Sequence, residues 1–267
     1  MNRSKLFIGL FIALILIVIT IVLLACTVFV VREVSVVSDV SSYLVNDEDI
    51  VESSGLTVGR SIITISKDKV KSSIEKDNPY VEVLSIRRVF PNKVIINVTV
   101  RRETMLISSS TGSTYAVVDL SMKVLDVIPS TEIETVNATV VTGLTFDEPE
   151  QGAQSLIGTI LDFDAPLYED ILREIADFTV NYDLQGQSFS AFFKELSFSS
   201  DGAIVFIRTN KGVSLVLDKS LPNSIYDQMY FAMYYYTTSK DVNIDRTRGY
   251  IAYNKAKGAY DWIESLD

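Results

Sequence analysis

The pattern of polar and apolar positions opens on one unbroken block. From Leu6 to Val31, 26 residues carry no charge, and Arg3 and Lys5 are the only charged side chains before them. About 20 apolar residues cross the roughly 30 Å hydrocarbon layer of a bilayer, so the run reads as a single transmembrane helix with length to spare for tilt. Positive flanks stay on the cytoplasmic side. The pattern thus predicts a cytoplasmic tail over 1–5, a membrane helix over 6–31 and an extracytoplasmic remainder. The run is longer than the apolar stretch of a cleaved signal and ends in Val28-Phe29-Val30-Val31, not in small residues, which favours retention. Leu23-Leu24-Ala25-Cys26 loosely matches a lipobox, so a lipid-anchored binding protein processed at Cys26 is an alternative; the plainer reading is a small apolar cysteine inside a membrane helix.

After Val31 the pattern breaks into short periodic pieces. Arg32 to Val37 alternates as a first strand. Asn46 is placed to cap a short helix through Ser54, with Asp47, Glu48 and Asp49 in the positive first turn and Gly55 as the stop. Beyond a turn at Gly59, Ile62, Ile63 and Ile65 predict a buried extended segment. Ser66 then caps a second helix with Val70 and Ile74 on one face, ended by Asn78-Pro79. Tyr80 to Phe90 and Lys93 to Arg102 read as a hairpin joined at Phe90-Pro91-Asn92-Lys93, with Phe90 expected to cover the helices or a domain junction. The order strand, helix, helix, strand, strand buries two helices on one face of a three-stranded sheet, giving a first domain over 32–103.

Residues 104–267 read as a β-rich second domain with two helices. Leu167, Ile171, Ile175 and Phe178 make an apolar stripe after Pro166, and Ile225, Met229, Met233 and Tyr236 mark a second helix from about Pro222 to Thr237. Tyr230, Phe231, Tyr234 and Tyr235 widen that helix's aromatic surface and are expected to pack on the sheet. Ala203 to Arg208 and Val213 to Leu217 form a hairpin, and Gly143 to Pro166 is expected to be a mobile loop. The fold class is α+β.

Composition narrows the chemistry. With no histidine, and its one cysteine inside the apolar run, the chain lacks the parts of Ser-His-Asp and Cys-His nucleophile systems and of His/Cys zinc sites. Beyond Val31, 22 basic residues face 34 acidic ones, a net −12 that disfavours nucleic acid and anionic lipid surfaces. Ser66-Lys67-Asp68-Lys69 and Ser73-Ile74-Glu75-Lys76 match the Ser-x-x-Lys of penicillin-binding enzymes without its downstream elements. The pairs Glu132/Glu134, Asp147/Glu148 and Asp162/Asp164 leave a carboxylate-based wall hydrolase as an alternative, and Asp162-x-Asp164 could contribute to a calcium site but completes no EF-hand loop.

The order of the first domain directly after a membrane run, with Gly55-Leu56-Thr57-Val58-Gly59 between its elements, Asn78-Pro79-Tyr80-Val81 opening the second strand and Arg87-Arg88-Val89-Phe90-Pro91-Asn92-Lys93-Val94 at the hairpin, resembles the POTRA domain of the FtsQ/DivIB cell-division proteins. Arg88, Phe90, Pro91 and Asn92 form the hairpin signature. Tyr115-Ala116-Val117-Val118-Asp119 with Lys123-Val124-Leu125, then Val141-Thr142-Gly143-Leu144 and Asn243-Ile244-Asp245, extend the likeness along the second domain. The chain departs from the family's pattern at Val100-Arg101-Arg102-Glu103, which replaces a Glu-Arg-Pro, and at Met122, where a glycine is usual. The resemblance implies a non-enzymatic divisome scaffold at the cytoplasmic membrane and division septum, needing no cofactor or metal. It would bind the coiled-coil membrane proteins FtsL and FtsB/DivIC and help regulate septal peptidoglycan synthesis. It further implies that the closing strands recruit a partner strand by edge pairing. Asp245, Arg248, Tyr250, Ile251 and Tyr253 are the expected partner-binding residues, with Tyr250 to Tyr253 as the edge strand; the alternative is that Trp262 and these tyrosines only pack the last strand and tail onto the domain.

Overall fold

Helix α1 (Arg3–Thr27) runs for 25 residues without a proline, and its Thr20 and Thr27 hydroxyls donate back to the carbonyls of Leu16 and Leu23, so these polar groups are satisfied within the helix. The protein is described by a computed structural model covering residues 3–38, 46–163, 166–238 and 245–265. Phe7, Leu10, Phe11 and the aliphatic side chains through Leu23 are exposed. The side chains described without a break cover 9–23, and among the described residues no helix is long and apolar enough to cross a membrane. The chain divides into two compact units, Met1–Arg101 and Arg102–Asp267.

In the first unit, β1 (Glu33–Ser38), α2 (Asp47–Ser53), α3 (Lys67–Asp77), β2 (Val81–Val89) and β3 (Lys93–Val100) follow in that order. The sheet order is β1-β3-β2, with β1 parallel to β3 from Glu33↔Lys93 to Ser38↔Val98 and β2 antiparallel to it. Both expected N-caps form: Asn46 accepts from the Glu48 amide and Ser66 from the Lys69 amide. Ile50, Val70 and Ile74 of the helices meet Val81, Val83, Ile86, Val94, Ile96 and Val98 of the sheet in one core. Ile62 and Ile65 join them, whereas Ile63 is 48% exposed. That connection is irregular backbone, fixed by bonds from the Val31 amide to Arg60 O (2.8 Å) and the Ile62 amide to Phe29 O (2.9 Å), so it does not alternate as a strand would.

A bulge between Val83 and Ser85 resets the alternation of β2, turning Leu84 outward. Glu75 of α3 serves this point. Its carboxylate accepts from the Val83 amide at 2.9 Å and pairs with Arg101 at 3.3 Å, both side chains being almost fully buried. Arg101 therefore supplies the counter-charge locking α3 to β2.

The hairpin signature does structural work. Arg88 Nη2 donates to the Ile65 carbonyl ahead of α3, and Asn92 O accepts from the Arg32 amide (2.8 Å) and the Glu33 amide (3.3 Å), seating the start of β1. Phe90 corrects an expectation. It is 57% exposed and touches Phe29 edge-on at 5.8 Å, because it stands at the tip of the β2–β3 turn beyond the reach of the helices.

The second unit is built on one nine-stranded sheet, from β4 (Met105–Ser109), β5 (Thr114–Val118), β6 (Val124–Pro129), β7 (Thr139–Phe146), β8 (Phe193–Phe198), β9 (Ile204–Thr209), β10 (Ser214–Asp218), β11 (Tyr250–Asn254) and β12 (Ala259–Ile263), ordered β12-β11-β10-β9-β8-β7-β4-β5-β6. Helices α4 (Pro166–Asn181), α5 (Phe189–Phe192) and α6 (Ile225–Thr238) contribute to the main core, where Ile171, Ile175 and Phe178 of α4 and Ile225, Met229 and Met233 of α6 pack with Leu196, Val205, Ile207, Leu215 and Ile251 of the strands. The α6 helix starts three residues after Pro222; of its four extra rings, Phe231 stacks on Tyr260 of β12 at 6.5 Å and Tyr235 packs against the core, as expected, whereas Tyr230 and Tyr234 are exposed, since the apolar stripe through Met229 and Met233 already takes the inner face.

The expected loop from Gly143 to Pro166 is more ordered than its glycines suggest. Gly143 to Phe146 completes β7, where a side chain at Gly143 (φ +77°) would strike the Phe198 carbonyl. Farther on, Val124 exchanges backbone bonds with Thr159 and Gly158, and the Leu161 amide donates to Met122 O. Met122 itself takes φ +61°, the left-handed conformation that suits the glycine usual at this position. Asp164 lies outside the described residues.

Two consequences for stability follow. Phe90→Ala should cost only about 1 kcal/mol, the scale of one exposed ring pair, while Glu75→Ala should cost about 3–5 kcal/mol by stranding buried Arg101. Urea denaturation of the two variants checks the ranking, and a Phe90→Ala loss equal to that of Glu75→Ala would contradict it.

Candidate functional site

Strands β11 and β12 are joined by Lys255-Ala256-Lys257-Gly258, a turn that Asn254 organises by accepting from the Ala256 (3.0 Å) and Lys257 (3.2 Å) amides through its side chain. The register runs from Tyr250↔Ile263 to Asn254↔Ala259. β11 lies between two strands, parallel to β10 through Ser214↔Tyr250 and Leu215↔Ile251 and antiparallel to β12. The expected edge strand is thus an interior strand. Ile251 is fully buried in the core, so its side chain cannot meet a partner. The terminal strand is β12, which among the described residues has β11 on one side and no strand on the other. Sequence reasoning missed it, although Tyr260 and Trp262 alternating after a Lys-Gly turn carried the signal.

The residues singled out around β11 serve different ends. Tyr250 and Tyr253 occupy opposite faces of the strand: Tyr250 meets Phe206 at 6.4 Å, and Tyr253 meets Tyr260 at 5.7 Å. Asp245 accepts from the Thr247 amide (2.9 Å) and hydroxyl (2.6 Å) and from Arg248 Nε (2.8 Å). Those bonds, the Thr247 hydroxyl's first, hold its carboxyl below the usual range. Arg248 also pairs with Glu264 just beyond β12 at 3.1 Å, and its carbonyl accepts from Trp262 Nε1 at 3.1 Å. The indole crosses over Gly249, where any side chain would collide with Trp262 and the Ile263 carbonyl. Asp245 and Arg248 therefore brace the strand pair. Asn243 and Ile244 lie outside the described residues.

On β12 the Asp261 carboxylate gathers the Lys257 ammonium, the Tyr235 hydroxyl of α6 (3.2 Å) and the Trp262 amide (3.1 Å). The last of these marks Trp262 N–H as pointing away from β11. By the alternation of an antiparallel ladder, Tyr260 N–H points the same way. An edge that presents such donors can accept another strand, and a side-chain carboxylate folded over it is a common guard against pairing with the wrong one. Lys257 chiefly, with Tyr235, holds the Asp261 carboxyl below the usual range.

Among the described residues, no group of three or more His, Cys, Asp or Glu is placed to hold a metal ion. Of the candidate acid pairs, Glu132 and Glu134 sit on a 3-10 turn at Ser130–Thr135. Glu148 accepts from Thr114 (2.7 Å), Thr111 (3.2 Å) and Ser113 (3.2 Å). The Thr114 hydroxyl foremost lowers its pKa, the reverse of the raised pKa that a glycosidase acid needs.

The Asp261 contacts predict a pH response. A carboxyl whose folded pKa is depressed stabilises above its unfolded value, near 3.8 here, and that contribution is lost as pH falls through the lower folded value. A carboxyl-detected NMR titration should place Asp261 below 3.8 in the native chain and return it toward 3.8 in Lys257→Ala; an unmoved midpoint in the variant would show that Lys257 is not the cause.

Residues 31–101 match the family model described as "POTRA domain, FtsQ-type". The matched span coincides with the β1-α2-α3-β2-β3 unit and takes in the whole hairpin signature. No curated protein matches the chain. Residues 31–101, with the α3-to-sheet clamp and hairpin signature in place, are thus an FtsQ-type POTRA domain, the domain type of the cell-division proteins that the sequence resembles.

Proposed function

We propose that the chain is a membrane-anchored, non-enzymatic divisome scaffold that captures FtsL and FtsB/DivIC-type coiled-coil partners by adding a partner strand to β12, and so helps regulate septal peptidoglycan synthesis. The observation that carries this reading is that, among the described residues, no strand pairs with the outer side of β12, one of the two ends of the nine-stranded sheet. Edge addition draws affinity from main-chain hydrogen bonds and specificity from alternate side chains. Tyr260 and Trp262, with Tyr253 and Arg248 beside them, offer the aromatic and cationic anchors enriched at binding hot spots. The partner site of this proposal is thus centred one strand farther along the chain than Tyr250 to Tyr253.

The anchor in this proposal is α1. At about 1.5 Å per residue its 25 residues extend about 37 Å, longer than a hydrocarbon core. Arg3 and Lys5 at its start orient it with the N-terminus in the cytoplasm. External protease on spheroplasts should then digest residues 32–267; their protection would overturn this topology.

Strand addition has a direct test in two substitutions at one position. Tyr260→Ala removes the ring and keeps the outward amide, whereas Tyr260→Pro removes both. In pull-downs with a purified FtsB/DivIC-type partner, the proline variant should bind at least about tenfold more weakly than the alanine variant, the worth of a lost main-chain bond or two. Equal binding by the two, both shown to be folded, would rule out pairing through this edge.

A further inference from the structure

Helix α4 has a second stripe that the core does not use. Glu169, Arg173, Ala176, Asp177 and Val180 share it, at the spacing of one helical face, and they make one wall of an open hollow of about 660 Å³. The other wall comes from the β5–β6 turn and the segment that covers β6, through Leu120, Met122, Ile160 and Asp162. Ile160 is 65% exposed and Val180 74%, so each wall holds a branched aliphatic side chain in water. Ala176, midway along the stripe, adds no bulk to fill the space between them.

The charges around this hollow are one-sided. Arg173 is paired with Asp170 at 3.3 Å, whereas the carboxylates of Asp162, Glu169 and Asp177 have, among the described residues, neither a cation nor a hydrogen-bond donor on them. An apolar groove rimmed in this way complements apolar side chains flanked by cations. A second copy of the chain is a poor occupant, because beyond Val31 it sets 22 basic residues against 34 acidic ones and repels its like. The walls also select the form of the occupant. The α4 wall presents side chains, its backbone being bonded within the helix, and the Leu161 amide of the facing segment already donates to Met122 O at 2.8 Å. A helix, which satisfies its own backbone, suits such walls better than an extended strand. From Glu169 to Val180 the stripe runs about 16 Å, the length of about 11 residues of a partner helix.

We propose that this groove docks a cationic amphipathic helix of a partner protein, its apolar side chains seated between Ile160 and Val180 and its lysines or arginines beside Asp162, Glu169 and Asp177. Buried aliphatic surface supplies the affinity, and the carboxylates steer the helix in and set its orientation. The groove lies at the β6 end of the sheet and β12 is the other end, so the two sites are separate and the groove does not depend on strand addition.

The test is fluorescence anisotropy of a labelled amphipathic leucine/lysine helix, about three turns long, titrated with the full chain in an uncharged detergent and read against detergent alone. Two control peptides keep the pattern, one with glutamate in place of lysine and one with serine in place of leucine. Saturable binding of the leucine/lysine peptide, and of neither control, is expected. Ile160→Ser with Val180→Ser should weaken it about tenfold, as loss of two exposed aliphatic anchors would. Glu169→Gln with Asp177→Asn should weaken it about fivefold and flatten its dependence on salt. All four positions lie outside the core, so both double variants should unfold at the Tm of the parent chain. Absence of binding, equal binding of either control peptide, or full binding by both double variants would overturn the proposal. So would sedimentation showing a dimer of the chain that the serine variant releases, because the occupant would then be a second copy.

Discussion

A sheet that does not close on itself must end in two strands whose outer amides and carbonyls lack a neighbour, and the second unit depends on how it treats those two ends. At one end, residues 154–161 cover β6: Val124 exchanges backbone bonds with Gly158 and Thr159, and Gln154 Nε2 donates to the Val127 carbonyl at 3.0 Å. At the other end, among the described residues, Asp261 folds over the outward Trp262 amide of β12 and is held there by Lys257 and Tyr235. The two ends are thus unlike. One is closed by backbone that belongs to the fold, the other by a single side chain that a competing strand can displace.

The strand pair leading to that open end is braced with little slack. β11 contacts β10 over two residue pairs, so its position rests heavily on Ile251 in the core, on the Trp262 indole bound to the Arg248 carbonyl, and on Arg248 bridging Asp245 and Glu264. The first unit uses the same economy. One buried carboxylate, Glu75, answers both a bulge amide and an arginine, and one carbonyl, that of Asn92, starts β1. A buried ion pair of this kind adds little net stability but is costly to break, so it fixes the placement of α3 more than it stabilises the unit.

Much of the fold was legible because local rules decide it. Asn46 and Ser66 cap their helices, the Ile171, Ile175 and Phe178 stripe is buried, and the element order of the first unit is the one its periodicity predicts. What sequence did not yield is lateral. Alternation marks Tyr250 to Tyr253 as a strand but cannot say that Leu215 and Trp262 flank Ile251 on either side. The candidate site consequently moved by one strand, and the five-residue β12 went unread because its apolar positions are interrupted by Asp261. Phe90 failed for a related reason: a large ring in a β-rich run reads as core, yet its place at the turn tip leaves it 57% exposed beside Phe29. The exposed Tyr230 and Tyr234 show the same limit, since a helix with rings on every side must leave some of them outside.

The central claim is that β12 takes a partner strand on its open side. Amide hydrogen exchange of the full chain, read at Tyr260 and Trp262 with and without a purified FtsB/DivIC-type partner, tests it most directly. The Tyr260 amide should exchange rapidly alone and the Trp262 amide more slowly, since it donates to Asp261; both should become markedly more protected on binding, with the already paired amides of β11 little changed. Binding that leaves Tyr260 and Trp262 exchanging as fast as in the free chain would contradict the account.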